Sequence, residues 1–373
     1  MNYKHTKLHI AMAWWWTGWH AFPIKSLIDY IFQNKKYLDQ IDKIFWFGTS
    51  NGLEQNISNW FDSRHFQFVP IISWKYRRET PFLSRLRNIR DIFLFIVGIF
   101  QSLYFLLYYR IDVIFCKWWY VALPVVLAWA LLRKKIIVHE SDTHPGLVNR
   151  VASRFAKKIF TWFDNVLPKS QTIWQIISDE IFQQDKQFTN KIWLSPFENK
   201  TIVLISWWSQ WSKRLYKNLI KILKQNPKFQ SEFIFFVALW LLNQDLSTEF
   251  DKLPNVRTLG FISQSQIGYL YGISDIGITR AGTTSLAEQK LFDMKLMIIP
   301  ITRTHDQYDN AQYYANKYWD IFLDQRKSDF EFQLTHSLHK NIWFKKTISK
   351  SDRVSEIIKA KEIIVQSLLH LHL

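Results

Sequence analysis

Five segments of this chain place chemically able residues where strand-like runs give way to turns. The first is Thr17-Gly18-Trp19-His20, whose imidazole belongs to the class that titrates near neutrality, as a general base requires. The second, Lys117-Trp118-Trp119-Tyr120-Val121, is a strand end running into a turn. The third, His139-Glu140-Ser141-Asp142-Thr143-His144-Pro145-Gly146, carries two imidazoles and two carboxylates. The fourth is Ser206-Trp207-Trp208-Ser209-Gln210-Trp211-Ser212, ahead of a helix. The fifth, Arg280-Ala281-Gly282-Thr283-Thr284-Ser285-Leu286-Ala287-Glu288, enters a helix whose unpaired N–H groups and positive dipole end suit a diphosphate. Downstream, His305 to Ala311 adds amides and carboxylates. Plain structural readings stand beside these: strand-end histidines serve as hydrogen-bond partners, loop carboxylates are solvated, and Thr-Thr-Ser caps a helix. The spacing of His139, Glu140, Asp142 and His144 matches no standard zinc pattern, and no ordered G-x-G-x-x-G is present.

The elements that must position these groups alternate. Strands are expected at Leu8–Met12, Lys43–Phe47, Phe66–Pro70, Val113–Phe115 and Ile136–Val138, with helices at Pro23–Asn34, Pro81–Arg110 and Val121–Arg133. The second half repeats the rhythm. Its strands are Thr201–Ile205, Glu232–Ala238, Val256–Leu259, Ile276–Thr279 and Leu296–Ile299; its helices include Leu215–Lys224, Gln264–Tyr271, Thr284–Lys290 and Asp309–Lys317. A hinge is expected near Thr161–Gln175, where the patterning is weakest, and a final helix at Asp352–Leu369. Alternation of this kind implies parallel, doubly wound α/β sheets with ligands beyond the strands' carboxyl ends.

The turn that leads into and includes the first segment holds the chain's oddest feature. Trp14, Trp15, Trp16 and Trp19 crowd a strand-to-helix turn, where the backbone needs positive φ and close approach to an anion. Glycine meets both needs and tryptophan neither. The chain has 19 Trp but only 10 Gly, against a usual glycine share of about 7%. Trp118, Trp119, Trp174, Trp207, Trp208, Trp211, Trp240 and Trp319 also sit at expected turns or element ends. Reading roughly 16 of the tryptophans as glycine restores an ordinary glycine content. The pattern fits a gene in which UGA encodes glycine, translated here as tryptophan. The codons decide between that and a chain truly rich in Trp, with aromatic surfaces for lipid or sugar.

A length of 373 residues accommodates two domains with their own cores. The balance of 48 Lys+Arg against 31 Asp+Glu gives +17, which favours an anionic partner: nucleic acid, an anionic membrane face or a phosphorylated substrate. No nucleic-acid-binding signature accompanies the charge. A single cysteine, Cys116, excludes an internal disulfide and fits a reducing compartment. Met1 to Lys7 shows no signal-peptide pattern, so a cytoplasmic location is expected. Ile92 to Tyr109 is apolar and aromatic, close to the lower limit for a spanning helix. Gln101 and Ser102 interrupt it, and Lys75, Arg77, Arg78, Arg85, Arg87 and Arg90 precede it. Those features favour an interfacial element on an anionic leaflet over a span, with a buried domain helix as the equal alternative.

With Trp read as Gly, the chain resembles the MurG family of peptidoglycan N-acetylglucosaminyltransferases along nearly its whole length. The matching motifs are Gly-Gly-Gly-Thr-Gly-Gly-His at 14–20, Ser-Gly-Lys-x-Arg-Arg at 73–78, Gly-Gly-Tyr-Val at 118–121 and His-Glu-Ser at 139–141. They continue with Pro-Gly-Leu-x-Asn-Arg at 145–150, Gly-Gly-Ser-Gln-Gly at 207–211, Arg-Ala-Gly at 280–282 and Asp-Gln-Tyr-x-Asn-Ala at 306–311. Their order, more than any single motif, is specific.

The resemblance implies the α/β GT-B fold, two Rossmann-like domains facing a cleft. An acceptor- and membrane-facing domain is expected at 1–165 and a UDP-sugar domain at 166–348, with a helix at 349–373 packing back on the first. It implies transfer of N-acetylglucosamine, without metal or cofactor, from UDP-GlcNAc to the C4 hydroxyl of the MurNAc of lipid I, with inversion. Lipid I is undecaprenyl-pyrophosphoryl-MurNAc-pentapeptide, and the product is lipid II. The implied place is peripheral, on an anionic membrane surface at the cytoplasmic face, with no nucleic acid as partner.

Carried over by position, Thr17, Gly18 and Trp19 face the acceptor diphosphate. Ser209, Gln210, Thr283, Thr284, Ser285, Leu286, Ala287 and Glu288 hold UDP, with the Glu288 carboxylate on ribose hydroxyls. Ile262 lies beside uracil, and Gln307 reaches the sugar hydroxyls. His20 is the expected base and Glu140 the second candidate. Two further substrate-side positions depart from the family. Asp142 stands where Asn is usual, adding a negative charge, and Ser178 stands where an arginine is usual, with Lys213 or Arg214 as substitutes for its charge. The competing functions are another GT-B transferase with a lipid acceptor or, if the tryptophans are real, an inactive membrane-binding protein.

Overall fold

A computed structural model describes residues 7–13, 18–48, 60–72, 82–117, 122–183, 185, 187–188, 192, 199–206, 212–239, 241–260, 262–302, 305–347 and 351–371. For 18–21, 82–89, 122, 241–242, 305 and 351–353 it describes the backbone alone. The chain forms two compact units, Met1–Ile177 with Ser355–Leu373, and Ser178–Val354.

The first unit is built on β1 (Leu8–Ala13), β2 (Ile41–Gly48), β3 (Phe66–Pro70), β4 (Val113–Lys117), β5 (Lys135–Glu140), β6 (Lys158–Thr161) and β7 (Gln171–Thr172). All are parallel, in the order β3-β2-β1-β4-β5-β6-β7. Runs such as Val113-Ile114-Phe115-Cys116 are buried throughout, as a parallel sheet covered on both faces requires. On one face Ile24, Leu27, Ile28 and Ile31 of the helix Gly18–Gln33 pack with Ile10, Met12, Ile44 and Phe115. Ala360, Ile364, Val365 and Leu368 of the last helix, Ser351–His370, join that core. On the other face Leu106, Val125, Trp129 and Val148 close over Ala11, Phe45, Ile114 and Ile136.

Three features differ from expectation. The helix Gly18–Gln33 starts before Pro23, so Gly18, Trp19 and His20 lie in its first turn and not in a loop. β6 and β7 are too short and too polar to show a period in sequence; tertiary pairing makes them strands. Because Ile173 and Ile176 sit in the first core, the units divide between Ile177 and Ser178, later than the expected 165/166 boundary and beyond the expected hinge.

The helix Phe82–Tyr108 has two faces. Its inner face is fixed by Gln101, whose Oε1 accepts from Ile72 N at 2.8 Å, and by Gly98, where a Cβ would overlap the Ile72 carbonyl oxygen. Ser102 is buried and donates to Gly98 O at 2.7 Å. The polar residues that break the apolar run therefore point inward. Outward, Phe93 (66% exposed), Ile96, Val97, Phe100 (67%), Tyr104 and Leu107 repeat every three or four residues as an open apolar stripe. The helix is thus half-packed, and the fully buried alternative does not hold.

The second unit repeats the winding with β8 (Thr201–Ser206), β9 (Phe233–Ala238), β10 (Val256–Leu259), β11 (Ile276–Thr279), β12 (Lys295–Ile298) and β13 (Ile321–Phe322). The order is β10-β9-β8-β11-β12-β13, again all parallel. Leu215, Leu219, Ile222 and Leu223 of the amphipathic helix Lys213–Gln225 anchor it to this core, while its lysines face outward.

The tryptophans divide. Trp14–Trp16, Trp74, Trp118, Trp119, Trp193, Trp207, Trp208, Trp211 and Trp240 lie outside the described residues. Trp46, Trp129 and Trp162 are buried, and Trp174 packs edge-on against Trp162 at 4.6 Å. Glycine at Trp46 or Trp129 would leave a cavity in the surrounding core. Trp319 is different. It follows the helix His305–Tyr318 at φ 58° and is 81% exposed, at the helix C-terminal position that favours glycine. Arg110, Arg133 and Asp293 take the same conformation after other helices, so left-handed φ alone does not mark a substituted glycine. Trp319→Gly should raise stability by about 1 kcal/mol, read from the thermal midpoint, because the left-handed Cβ penalty disappears. A loss of stability would show that the exposed indole contributes contacts.

Candidate active site

Doubly wound sheets bind ligands at their carboxyl edges. At that edge in the first unit, Glu140 ends β5 and is fully buried. Its Oε1 accepts from Ser141 N at 2.7 Å and Asp142 N at 3.0 Å. Its Oε2 accepts from Asn149 Nδ2 at 2.9 Å and Gly146 N at 3.1 Å. Burial, and then the Asp142 carboxylate, push its pKa up, while the backbone N–H donors and the Asn149 amide hold it down in favour of the ionised form. With both oxygens committed and no open surface, Glu140 is placed to hold its own loop and not to take a proton from a substrate hydroxyl.

His139, beside it, is buried; burial, and then Lys117, hold its pKa well below the usual imidazole range, so it stays neutral. Its Nδ1 lies 3.5 Å from Ser141 Oγ, which also reaches Gln175 Oε1 at 3.3 Å, and Gln175 Nε2 donates to Ser141 O at 3.2 Å. Asp142 is buried as well, so the extra charge sits inside this edge. His20 lies in the first turn of the helix that follows β1; its side chain, like that of Trp19, and all of Thr17 lie outside the described residues.

In the second unit the helix Thr283–Leu291 begins at the carboxyl end of β11. Gly282 precedes it in extended conformation with no side-chain cap, so the N–H groups of Thr283, Thr284 and Ser285 have no intrahelical acceptor; Leu286 N donates to Gly282 O at 3.0 Å. This is an anion-binding helix end. Asn310 Nδ2 holds the turn through Ala281 O at 3.3 Å. Buried Arg280 donates from Nη1 to Ile299 O at 3.0 Å and Pro300 O at 3.2 Å; burial lowers its pKa to about 10, leaving it a cation at neutral pH. Glu288 is buried one turn into the helix, with Tyr271 Oη donating to its Oε2 at 3.3 Å. Burial raises its pKa to about 8, so it is mainly protonated at pH 7 and not the ionised carboxylate expected.

The remaining positions sort by burial. Leu286 and Ala287 face the core, so their side chains support the helix and do not line a site. Ile262 is also buried. Ser178 caps the turn Asp179–Phe182 by accepting from Glu180 N at 3.3 Å, a structural role and not a substitute for a cation. Lys213 is engaged by Asp245 at 2.6 Å, and Arg214 is exposed. Gln307 Oε1 accepts from Ile301 N at 3.0 Å, leaving Nε2 as its remaining donor. Ser209 and Gln210 lie outside the described residues. Among the described residues no group of three or more His, Cys, Asp and Glu could hold a metal ion. Sequence reading gave no role to Asn149, Lys117 or Tyr271, whose signal is only a polar residue on an otherwise apolar element.

Residues 10–161 match the glycosyltransferase family 28 N-terminal domain, and residues 217–366 match the C-terminal domain of the same family. The chain belongs to glycosyltransferase family 28. It is similar to the UDP-N-acetylglucosamine–N-acetylmuramyl-(pentapeptide) pyrophosphoryl-undecaprenol N-acetylglucosamine transferase of Staphylococcus carnosus (strain TM300). That likeness is 28% identity over 312 residues, 79% of this chain and 80% of that protein. The enzyme of the same name from Staphylococcus aureus (strain MRSA252) is 29% identical over 309 residues, 78% of this chain and 80% of the relative. In fold, the crystal structure of Acinetobacter baumannii MurG superposes with a TM-score of 0.69 at 19% identity, covering 97% of this chain and 99% of that one. The two parallel sheets are the GT-B fold, and the family's paired domain order runs along the chain as its motifs suggested.

In this family-28 chain the titration of Glu288 should be visible in stability. Its folded pKa of about 8 lies above the ordinary 4.5, so its stabilising contribution is full below pH 4.5 and is lost as pH rises through 8. Glu288→Gln removes that loss, so the thermal midpoint of the variant minus that of wild type should increase from pH 5 to pH 8.5. A difference that stays flat would mean that Glu288 is already ionised at pH 5.

Proposed function

We propose that this chain transfers N-acetylglucosamine from UDP-GlcNAc to the C4 hydroxyl of MurNAc in lipid I, forming lipid II and releasing UDP. The observation that carries the reading is the ordered match of both halves to family 28, with an uncapped helix end at the carboxyl edge of the second sheet. That helix end receives the UDP diphosphate through the N–H groups of Thr283, Thr284 and Ser285, with Glu288 toward the ribose. Gln307 offers its Nε2 to the sugar. In the first unit His20 takes the proton from the attacking hydroxyl as the new C1–O bond forms on the face opposite the departing diphosphate, which gives inversion. Charge growing on the leaving UDP is met by the helix dipole and by preorganised N–H donors. Full commitment of the Glu140 oxygens supports His20 over Glu140 as the base.

We further propose that the chain works on an anionic membrane surface, where the acceptor's lipid resides. The open stripe of Phe93, Phe100 and Leu107 on the long helix, preceded by a basic segment in a chain of net charge +17, supports this.

Purified protein incubated with lipid I and radiolabelled UDP-GlcNAc should yield labelled lipid II, and His20→Ala should lower kcat by about a hundredfold or more with little change in KM for UDP-GlcNAc. Near-normal turnover of that variant would remove His20 as base. Phe93→Ser with Phe100→Ser should release the protein from vesicles containing phosphatidylglycerol in flotation assays; unchanged flotation would exclude the stripe as the contact.

A further inference from the structure

The carboxyl edge of the first sheet buries more charge than the chemistry above uses. Lys117 ends β4 and is 2% exposed, and its register partner on the adjacent strand is His139. Glu140 and Asp142, both buried, follow within three residues of His139. Among the described buried residues of the first unit only Lys117 and Lys361 carry an ammonium, and Lys361 belongs to the last helix. His139 cannot replace that charge because burial keeps it neutral. The edge therefore combines two carboxylates with one ammonium, in surroundings where an unbalanced charge is costly.

Glu140 has structural work that depends on its ionised form. Three backbone N–H groups and the Asn149 amide all donate to it, and a carboxylate accepts four such bonds where a protonated acid opposes one of them with its own O–H. Asp142 pushes in the other direction, because two neighbouring buried carboxylates favour protonation of one. Burial lowers the Lys117 pKa to about 7, and attraction to Asp142 and then Glu140 pulls it back up, so the charge on the lysine depends on those carboxylates.

We propose that Lys117 is a positioning residue whose ammonium balances the Glu140 and Asp142 carboxylates and so keeps the Ser141–Gly146 loop, and Asn149 in the helix Leu147–Ser153 that follows it, latched on the acceptor side. Only the kinetic part of the test rests on the glycosyl-transfer reading.

The test compares Lys117→Met with the double variant Lys117→Met/Asp142→Asn, using hydrogen exchange and steady-state kinetics on the full chain. Lys117→Met should speed exchange at the Ser141, Asp142 and Gly146 amides by about tenfold or more, and Asp142→Asn in that background should reverse most of the gain. In parallel, kcat/KM for lipid I should fall about tenfold with KM for UDP-GlcNAc unchanged, and should recover in the double variant. Protection at those amides unchanged in Lys117→Met would overturn the proposal, as would a loss that Asp142→Asn does not relieve. Should Lys117→Met fail to fold, the double variant must fold with wild-type protection at these amides; if it also fails, charge balance is not what Lys117 supplies. Absence of lipid II formation by wild type would instead refute the transfer reading, while exchange still decides the role of Lys117.

Discussion

Both sheets are parallel and buried on both faces, and that constraint organises everything else in the molecule. Each strand must be followed by a crossover that returns along a face, so the faces are consumed by packing and only the edges remain for ligands. The strand interiors accordingly carry little but Val, Ile, Leu and Phe, and polar side chains gather at the carboxyl ends: Lys117, His139 and Glu140 in one sheet, Ser206, Thr279 and Arg280 in the other. Such groups are tolerated at a buried edge only when loops return N–H and C=O partners to them, as the 141–149 loop does for Glu140 and the 299–300 segment does for Arg280.

The two edges meet an anionic reaction differently. The second unit offers backbone N–H groups and a helix dipole, a buried arginine clamped by carbonyls, and a glutamic acid that burial keeps largely protonated. Little negative charge faces a diphosphate there. The first unit instead encloses two carboxylates, and their placement inside the fold keeps them from opposing an anionic acceptor. Asp142 looks unfavourable in sequence because its charge has no visible counterpart; in three dimensions it is buried on an edge that also contains Lys117.

Much of the architecture was legible because its signals are periodic. Strands rich in β-branched and aromatic residues, such as Phe66–Pro70 and Ile276–Thr279, fell where the residues indicated, as did the helix Gln264–Ile273, opened by the Ser263–Gln266 capping box. β7 and β13 were missed because strands of two residues have no period of their own and exist only by pairing with a neighbour; β6, whose apolar part is only Ile159-Phe160 after two lysines, was missed as well. The site was legible as motifs but not as roles. Glu140 reads as a candidate base from its type and position, and only its four N–H donors reveal it as a loop anchor. Leu286 and Ala287 belong to a ligand-binding segment by position, yet helical periodicity turns their side chains into the core.

The tryptophan problem resolves along the same physical line. An indole contributes where it can be enclosed, as at Trp46 and Trp129, and the cores there are shaped around it. At a turn it gains no enclosure and imposes a Cβ on a backbone that requires none, which is the situation of Trp319. Composition alone treats all 19 residues alike, whereas packing separates those that fill a core from those that do not. The codons, read position by position, decide which of the tryptophans are recoded. In sequence the motifs at 14–20, 118–121 and 207–211 directly follow the strands β1, β4 and β8, and at such strand ends a bare backbone approaches a phosphate more closely than a backbone carrying side chains.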